Sequence, residues 1–186
     1  MRRVVLRVVV LVVVVWLTVA VLNRASARVA FMGDSLTQGW GFPRTNFGIF
    51  GQTTEQMAAR FAGQVGGHGY REVVILGGTN DTLLGIDPEV TLGNLGRMVE
   101  MSQAEGVEPV LAEIPPIYRD GGRYLPAVRR LNVGITGLAQ AKSVKLVDYF
   151  GALDGHPGAY SDGTHLKRRG YLRMELALIR VENPFK

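Results

Sequence analysis

The sequence predicts an α/β fold: a three-layer α/β/α sandwich built on a five-stranded parallel sheet, preceded by an N-terminal hydrophobic helix. Two observations carry this. After residue 28, five short apolar runs rich in branched residues recur along the chain. Stretches with helical spacing and recognisable caps separate them, the pattern of a parallel sheet covered on both faces. The length of 186 residues suits one domain, or one domain plus an anchor.

The first element is an address or an anchor. Val8 to Leu22 is apolar apart from Thr18, and Arg2, Arg3 and Arg7 precede it. Cations before an apolar run are the grammar of an export signal. Counted from Val4, the run is long enough to span a bilayer if Arg7 reaches back to the interface. Ala25-Ser26-Ala27 has the small-x-small form of a cleavage site, although Arg24 and Arg28 beside it make a poor one. Residues 1–27 therefore read as a retained anchor or a cleaved signal peptide, with a buried core helix as the bland alternative. Residues 28–186 read as one domain, exported and either membrane-anchored outside the cytoplasm or secreted or periplasmic.

Val29 to Met32 is a buried strand ended by Gly33. Asn46 to Phe50 is a weaker strand ended by Gly51. Thr53-Thr54-Glu55-Gln56 fits a capping box and opens a helix to about Phe61. Val73 to Leu76 is the clearest strand, ended by Gly77-Gly78. Asp87-Pro88 is an N-cap followed by proline at the first helical position. Leu92, Leu95 and Val99 then share a helical face, and Gly106 closes the helix. Val110 to Ile114 is a strand broken by Pro115-Pro116. A helix spans Pro126 to Ala141 with Leu131, Ile135 and Leu138 inward. Val144 to Val147 is the last strand, and Gly170 to Val181 the closing helix.

Composition excludes several function classes. The absence of cysteine removes a disulfide scaffold, a zinc ribbon and a thiol nucleophile. The net charge of +5 suggests nucleic acid, but residues 1–27 hold four arginines and no acid. The rest of the chain carries 17 basic and 16 acidic side chains, too even a balance for counterion-release binding. Its one basic cluster, Lys167, Arg168, Arg169 and Arg173, reads as a solvated helix face, with an anionic substrate or a membrane surface as the alternative.

In open α/β sheets, ligands sit beyond the carboxyl ends of the strands. The loops there are unusual. Gly33-Asp34-Ser35-Leu36 follows the first strand, Gly51-Gln52-Thr53 the second and Gly77-Gly78-Thr79-Asn80-Asp81 the third. Ser161-Asp162-Gly163-Thr164-His165 lies near the C-terminus. Singly, each has a bland reading as a turn or a cap. Together they supply the parts of one mechanism. A serine becomes nucleophilic beside a base, and the base needs an orienting group. Ser35 projects at the sheet edge. Asp162 and His165, three apart, are close enough for the carboxylate to hold one ring nitrogen and leave the other for the serine proton. Gly51 offers a bare N–H and Asn80 an amide, donors of the kind that stabilise an oxyanion.

These residues resemble the SGNH hydrolases, the GDSL esterase/lipase family. The four blocks stand in family order, as Gly33-Asp34-Ser35-Leu36, Gly51, Gly78-Thr79-Asn80-Asp81 and Asp162-Gly163-Thr164-His165. The resemblance covers about Val29 to Leu178. It implies a flavodoxin-like sandwich and a serine ester hydrolase of carboxylesterase, lysophospholipase or thioesterase type, with no cofactor and no metal. It also implies that Ser35 is the nucleophile, His165 the base and Asp162 its orienter, and that the Ser35 N–H, the Gly51 N–H and Asn80 form the oxyanion hole. Implied substrates are small-molecule, lipid or acylated-glycan esters. The alternatives are an envelope polysaccharide O-acyl esterase or transferase and, from another class, a tethered binding module without turnover. A flavodoxin-like phosphate or flavin mononucleotide seat is disfavoured, because the first loop lacks a run of free amides and Asp34 repels an anion.

Other residues weigh less. Trp40, Phe42, Leu83, Leu84, Ile117, Tyr118 and Tyr160 follow strand ends or blocks and are candidates for the wall of an acyl pocket, with plain packing as the competing reading. His68 and His156 read as loop residues, and no tight ligand spacing supports a metal among the histidines and Asp154 or Asp162. Asp34 and Asp81 read as hydrogen-bond acceptors for loop backbone.

Overall fold

Strands β1 (Val29–Gly33) and β3 (Glu72–Leu76) are buried at every position, which is why, Glu72 at the start of β3 apart, the sequence shows them as apolar runs. The computed structural model describes residues 28–182. The signal or anchor reading of residues 1–27 lies outside the described residues; within them, no helix is long and apolar enough to cross a membrane.

β2 (Thr45–Gly48), β4 (Glu108–Ala112) and β5 (Lys145–Val147) complete a five-stranded sheet of order β2-β1-β3-β4-β5. Every pairing is parallel. The helices are α1 (Ser35–Gln38), α2 (Thr54–Val65), α3 (Thr79–Leu84), α4 (Pro88–Ala104), α5 (Leu125–Lys142), α6 (Tyr149–Leu153) and α7 (Arg168–Glu182). On one face of the sheet α2, α4 and α5 pack side by side, and on the other α7 packs against α6 and β5. The core runs through both interfaces, from Met57 and Phe61 of α2 to Tyr171, Met174 and Leu178 of α7. The chain reverses direction across the sheet between β1 and β3, and ligands of such sheets bind at that switch point.

Local chemistry sets the boundaries. Gln56 Oε1 accepts the Thr53 N–H at 3.0 Å, one arm of the predicted capping box. The Asp87 carboxylate accepts the Glu89 N–H at 2.9 Å, with Pro88 as the first residue of α4. β4 ends earlier than the apolar run Val110 to Ile114 suggests. The reason lies on α5: the Asn132 side-chain amide bonds both the N–H and the C=O of Ile114 at 2.9 Å, taking that peptide out of the ladder. β2 is an edge strand and only partly buried, which explains its weak signature. It stops at Gly48, where a Cβ would lie 2.0 Å from the Gln38 backbone nitrogen. Helices α1, α3 and α6 are absent from the sequence reading. At four to six residues they are too short to show a helical period.

Candidate active site

Ser35 is the first residue of α1, directly after β1. Two features make that turn tight. A Cβ on Gly33 would fall 1.9 Å from Thr37 Oγ1, so the position demands glycine. Asp34 caps the helix, accepting the Leu36 N–H at 2.9 Å. The serine is thereby held at the carboxyl rim of the sheet.

Asp162 and His165 sit in a closed turn before α7. The Tyr160–Leu166 bridge and the Ser161 N–H to His165 C=O bond of 2.8 Å close its base. Within it, Asp162 Oδ1 accepts the N–H groups of Thr164 and His165 at 2.9 and 2.7 Å. Asp162 Oδ2 lies 2.7 Å from His165 Nδ1. Gly163 adopts φ +83°, and a Cβ there would meet the Arg119 backbone nitrogen at 2.6 Å. Its carbonyl accepts the Tyr118 N–H at 2.8 Å, fastening the turn to the loop after β4. Burial raises the Asp162 carboxyl, but the His165 ring and the two N–H donors outweigh it and hold the group down at about 2.

The other ring nitrogen, His165 Nε2, lies 3.1 Å from Ser35 Oγ. Aspartate, imidazole and hydroxyl thus form one line of hydrogen bonds. With the Nδ1 proton engaged by Asp162, Nε2 is the ring's acceptor, within the reach a general base needs.

Asn80 is the second residue of α3, after Gly78 at φ +117°. Its Nδ2 donates to Gln52 C=O at 2.9 Å and lies 3.4 Å from Asp34 Oδ2. Gly51, at φ +75°, stands between two residues that touch the site: Gln52, which Asn80 bonds, and Phe50, whose ring stacks on His165. No heavy atom comes within 4 Å of where a Gly51 Cβ would be. Among the described residues its N–H makes no hydrogen bond. All five motif residues therefore gather at the switch point of the sheet.

Asp34 and Asp81 are both buried and act on loop backbone, as the sequence suggests. Asp81 accepts the Thr54 N–H at 3.0 Å and the Thr91 hydroxyl at 3.2 Å, tying α2 and α4 to the Asn80 turn. Burial pushes the Asp34 carboxyl up to about 7.

Of the candidate pocket residues, several take the competing role of plain packing. Trp40 turns into the core, 6% exposed, edge-on to Phe31 with ring centroids 4.8 Å apart, its Nε1–H bonded to Glu175 at 3.2 Å. Ile117 and Tyr160 are likewise core residues. Tyr118 is half-buried, and its hydroxyl accepts the Gly155 N–H at 2.7 Å, a structural duty. Phe42 lies against Trp40. Leu83 is half-buried and Leu84 is 69% exposed, one turn beyond Asn80. His68 and His156 lie exposed on loops. Among the described residues, no three metal-ligating side chains converge.

Two residues escaped the sequence reading. Phe50, 68% exposed, lies parallel to the His165 ring at 15°, with centroids 5.6 Å apart. Arg60 on α2 donates to Gly33 C=O at 2.9 Å, to Gln52 Oε1 at 2.6 Å and to Gln64. It joins the strand end before Ser35 to the loop that receives Asn80. The one available signal was a cation on the helical flank of the inward-facing Met57 and Phe61.

The chain is similar to several known proteins. An arylesterase of Vibrio mimicus is 28% identical over 151 residues, spanning 69% of this chain and 73% of its own. The crystal structure of a GDSL-like lipase from Bacteroides thetaiotaomicron superposes with TM-score 0.74 at 27% identity, covering 87% of this chain and 93% of the other. An acetylxylan esterase from Geobacillus stearothermophilus shares the fold, with TM-score 0.72 at 18% identity, covering 85% and 94% of the two chains. The class is that of hydrolases acting on ester bonds. Within it, the chain belongs to the GDSL-like lipase/acylhydrolase family, whose model matches residues 31–173.

Proposed function

We propose that the chain is a serine carboxylesterase for esters of short acyl groups, working through Ser35, His165 and Asp162. The observation that carries this reading is the unbroken line from Asp162 Oδ2 through the imidazole to Ser35 Oγ, with links of 2.7 and 3.1 Å.

Ser35 Oγ attacks the ester carbonyl while its proton passes to His165 Nε2. Asp162 holds the ring and stabilises the imidazolium that forms. The Ser35 and Gly51 N–H groups and the Asn80 amide receive the oxyanion. As the tetrahedral intermediate collapses, His165 gives its proton to the departing alcohol and the acyl group stays on Ser35. Water then loses a proton to His165 Nε2 and attacks the acyl carbon. Collapse of the second intermediate releases the acid and returns the proton to Ser35.

The short acyl preference rests on the openness of the site. The Asp162 side chain is 55% exposed, open space surrounds Gly51, and the apolar residues at hand are the exposed Phe50 and the Leu83-Leu84 pair. Trp40, Ile117 and Tyr160, which would have built a deep wall, are spent in the core. The similarity to the Vibrio mimicus arylesterase supports an ester as substrate. From the cations and apolar run of residues 1–27 we also propose that the reaction takes place outside the cytoplasm.

The test is hydrolysis of p-nitrophenyl esters from acetyl to palmitoyl by the full chain. Ser35-dependent activity that peaks at short chains is expected. A peak at long chains would overturn the short acyl assignment. Activity seen only when a glycan hydroxyl is supplied as acceptor would replace hydrolysis by acyl transfer.

A further inference from the structure

The closing helix α7 carries its own surface. Its inward side holds Tyr171, Met174 and Leu178, while Glu175 and Glu182 turn back to the Arg44 guanidinium at 3.1 and 3.9 Å. Both acids of the helix are thereby withdrawn from the solvent side. What remains outward is unusual. Leu172, Leu176 and Ile179 are 45%, 57% and 46% exposed and recur at helical spacing as one stripe. Arg168 borders the stripe on one side, and Arg169, Arg173 and Arg180 on the other. At the α-helical angle per residue the seven fill an arc of about 140° without an acid among them. Lys167 adds a charge at the helix start. Among the described residues none of these cations forms an ion pair. A notch of about 250 Å³ opens beside the stripe, lined by Arg169, Arg173 and the Gly155–Ala159 loop.

A solvated helix face would interleave both signs of charge and bury its leucines. This one presents apolar groups flanked by cations, on a domain whose other charges, 12 basic and 16 acidic, lean to the acidic side. We propose that the outer face of α7 docks on the anionic surface of a bilayer, with Leu172, Leu176 and Ile179 entering the headgroup–acyl boundary and the flanking arginines meeting lipid phosphates. Charge complementarity selects this occupant: an interfacial helix carries basic residues around an apolar stripe, and anionic lipid supplies both counterparts. The apolar run Val8–Leu22 independently suits a chain that works at a membrane. The helix starts three residues after His165, so docking would set the catalytic rim beside the lipid.

The absence of cysteine makes the test clean. Leu176→Cys is labelled with an environment-sensitive fluorophore in the full chain. Val90→Cys, at a position 53% exposed on α4, serves as the reference. Both are mixed with vesicles of phosphatidylcholine alone or with phosphatidylglycerol added, and aqueous acrylamide is the quencher. Whatever residues 1–27 contribute to vesicle binding is common to both labels. On the anionic vesicles the label at 176 is expected to shift to the blue and lose quenching severalfold, while the label at 90 does neither. The triple variant Arg168→Gln, Arg173→Gln, Arg180→Gln should abolish the difference, with hydrolysis of a soluble ester unchanged. Equal quenching at the two positions on anionic vesicles overturns the proposal. So does equal protection on both lipid compositions. Protection that appears without vesicles and grows with protein concentration would assign the face to a second copy of the chain instead.

Discussion

His165 Nε2 stands 3.1 Å from Ser35 Oγ, across 130 residues of chain. Two tight turns bring the pair together, one after β1 and one before α7, and each is built around a glycine that tolerates no side chain.

Asn80 is assigned to the transition state rather than to substrate binding. Asn80→Ala should lower kcat by about 10²–10³ with little change in KM. Steady-state kinetics on a short p-nitrophenyl ester checks this. A rise in KM at constant kcat would make Asn80 a substrate contact.

Gly51 and Gly163 both have positive φ but differ in their surroundings. A methyl at Gly51 meets open space, and one at Gly163 collides with the Arg119 backbone. Gly51→Ala carries only the strain of a left-handed residue, about 1–2 kcal/mol, and should keep most of its activity. Gly163→Ala must shift the Asp162–His165 turn, and a displacement of about 1 Å costs about 10²-fold in rate. Measuring kcat and Tm for both variants tests the contrast.

Arg60 is a positioning residue, bonded to the strand end before Ser35 and to Gln52. Arg60→Met keeps the apolar stem and removes the three donated bonds. It should reduce kcat by about 10–10² while KM stays near wild type. Arg60→Lys can restore one bond and should recover part of the loss. A change in Tm with no change in kcat would show a purely structural role.

Asp34 gives a signed pH dependence. An unfolded aspartate ionises near 4, whereas burial holds the folded group up to about 7. Between these values the folded state binds more protons, so this carboxyl makes the protein less stable as pH rises from about 4 to about 7. Above that window the penalty is constant. Asp34→Asn retains an acceptor for the Leu36 N–H and cannot ionise. Its Tm relative to wild type should climb across the window and then level off, as thermal unfolding at a series of pH values would show. Glu113 and Glu182, also pushed up to about 7 by burial, contribute slopes of the same sign that are common to both proteins. Asp162, held at about 2, acts in the opposite sense: its contribution is present above about 4 and is lost as pH falls toward 2.

The sequence showed the strands that are buried on both faces and hid what depends on distant contacts. β1 and β3 were visible because burial on two sides demands apolar runs. β4 was misplaced at its end because Asn132, on another element, removes Ile114 from the ladder. The motif loops were legible because Ser35, Asn80, Asp162 and His165 are residue types that a buried core seldom needs. Trp40 is ambiguous in the sequence for the converse reason: an aromatic residue after a strand end looks the same whether it lines a pocket or packs on Phe31 and Tyr171. Phe50 and Arg60 carry no motif. Their roles exist only through the ring of His165 and the carbonyl of Gly33, neither of which is a sequence neighbour.

The central claim is that His165 activates Ser35 as a nucleophile, and covalent labelling tests it most directly. The full chain is treated with a fluorophosphonate, and the adduct is counted by intact mass and located by peptide mapping. The account predicts one adduct per chain on the peptide containing Ser35, none in Ser35→Ala, and greatly slowed labelling in His165→Ala. A folded protein that takes no label, or takes it equally with Ser35 replaced, would contradict it.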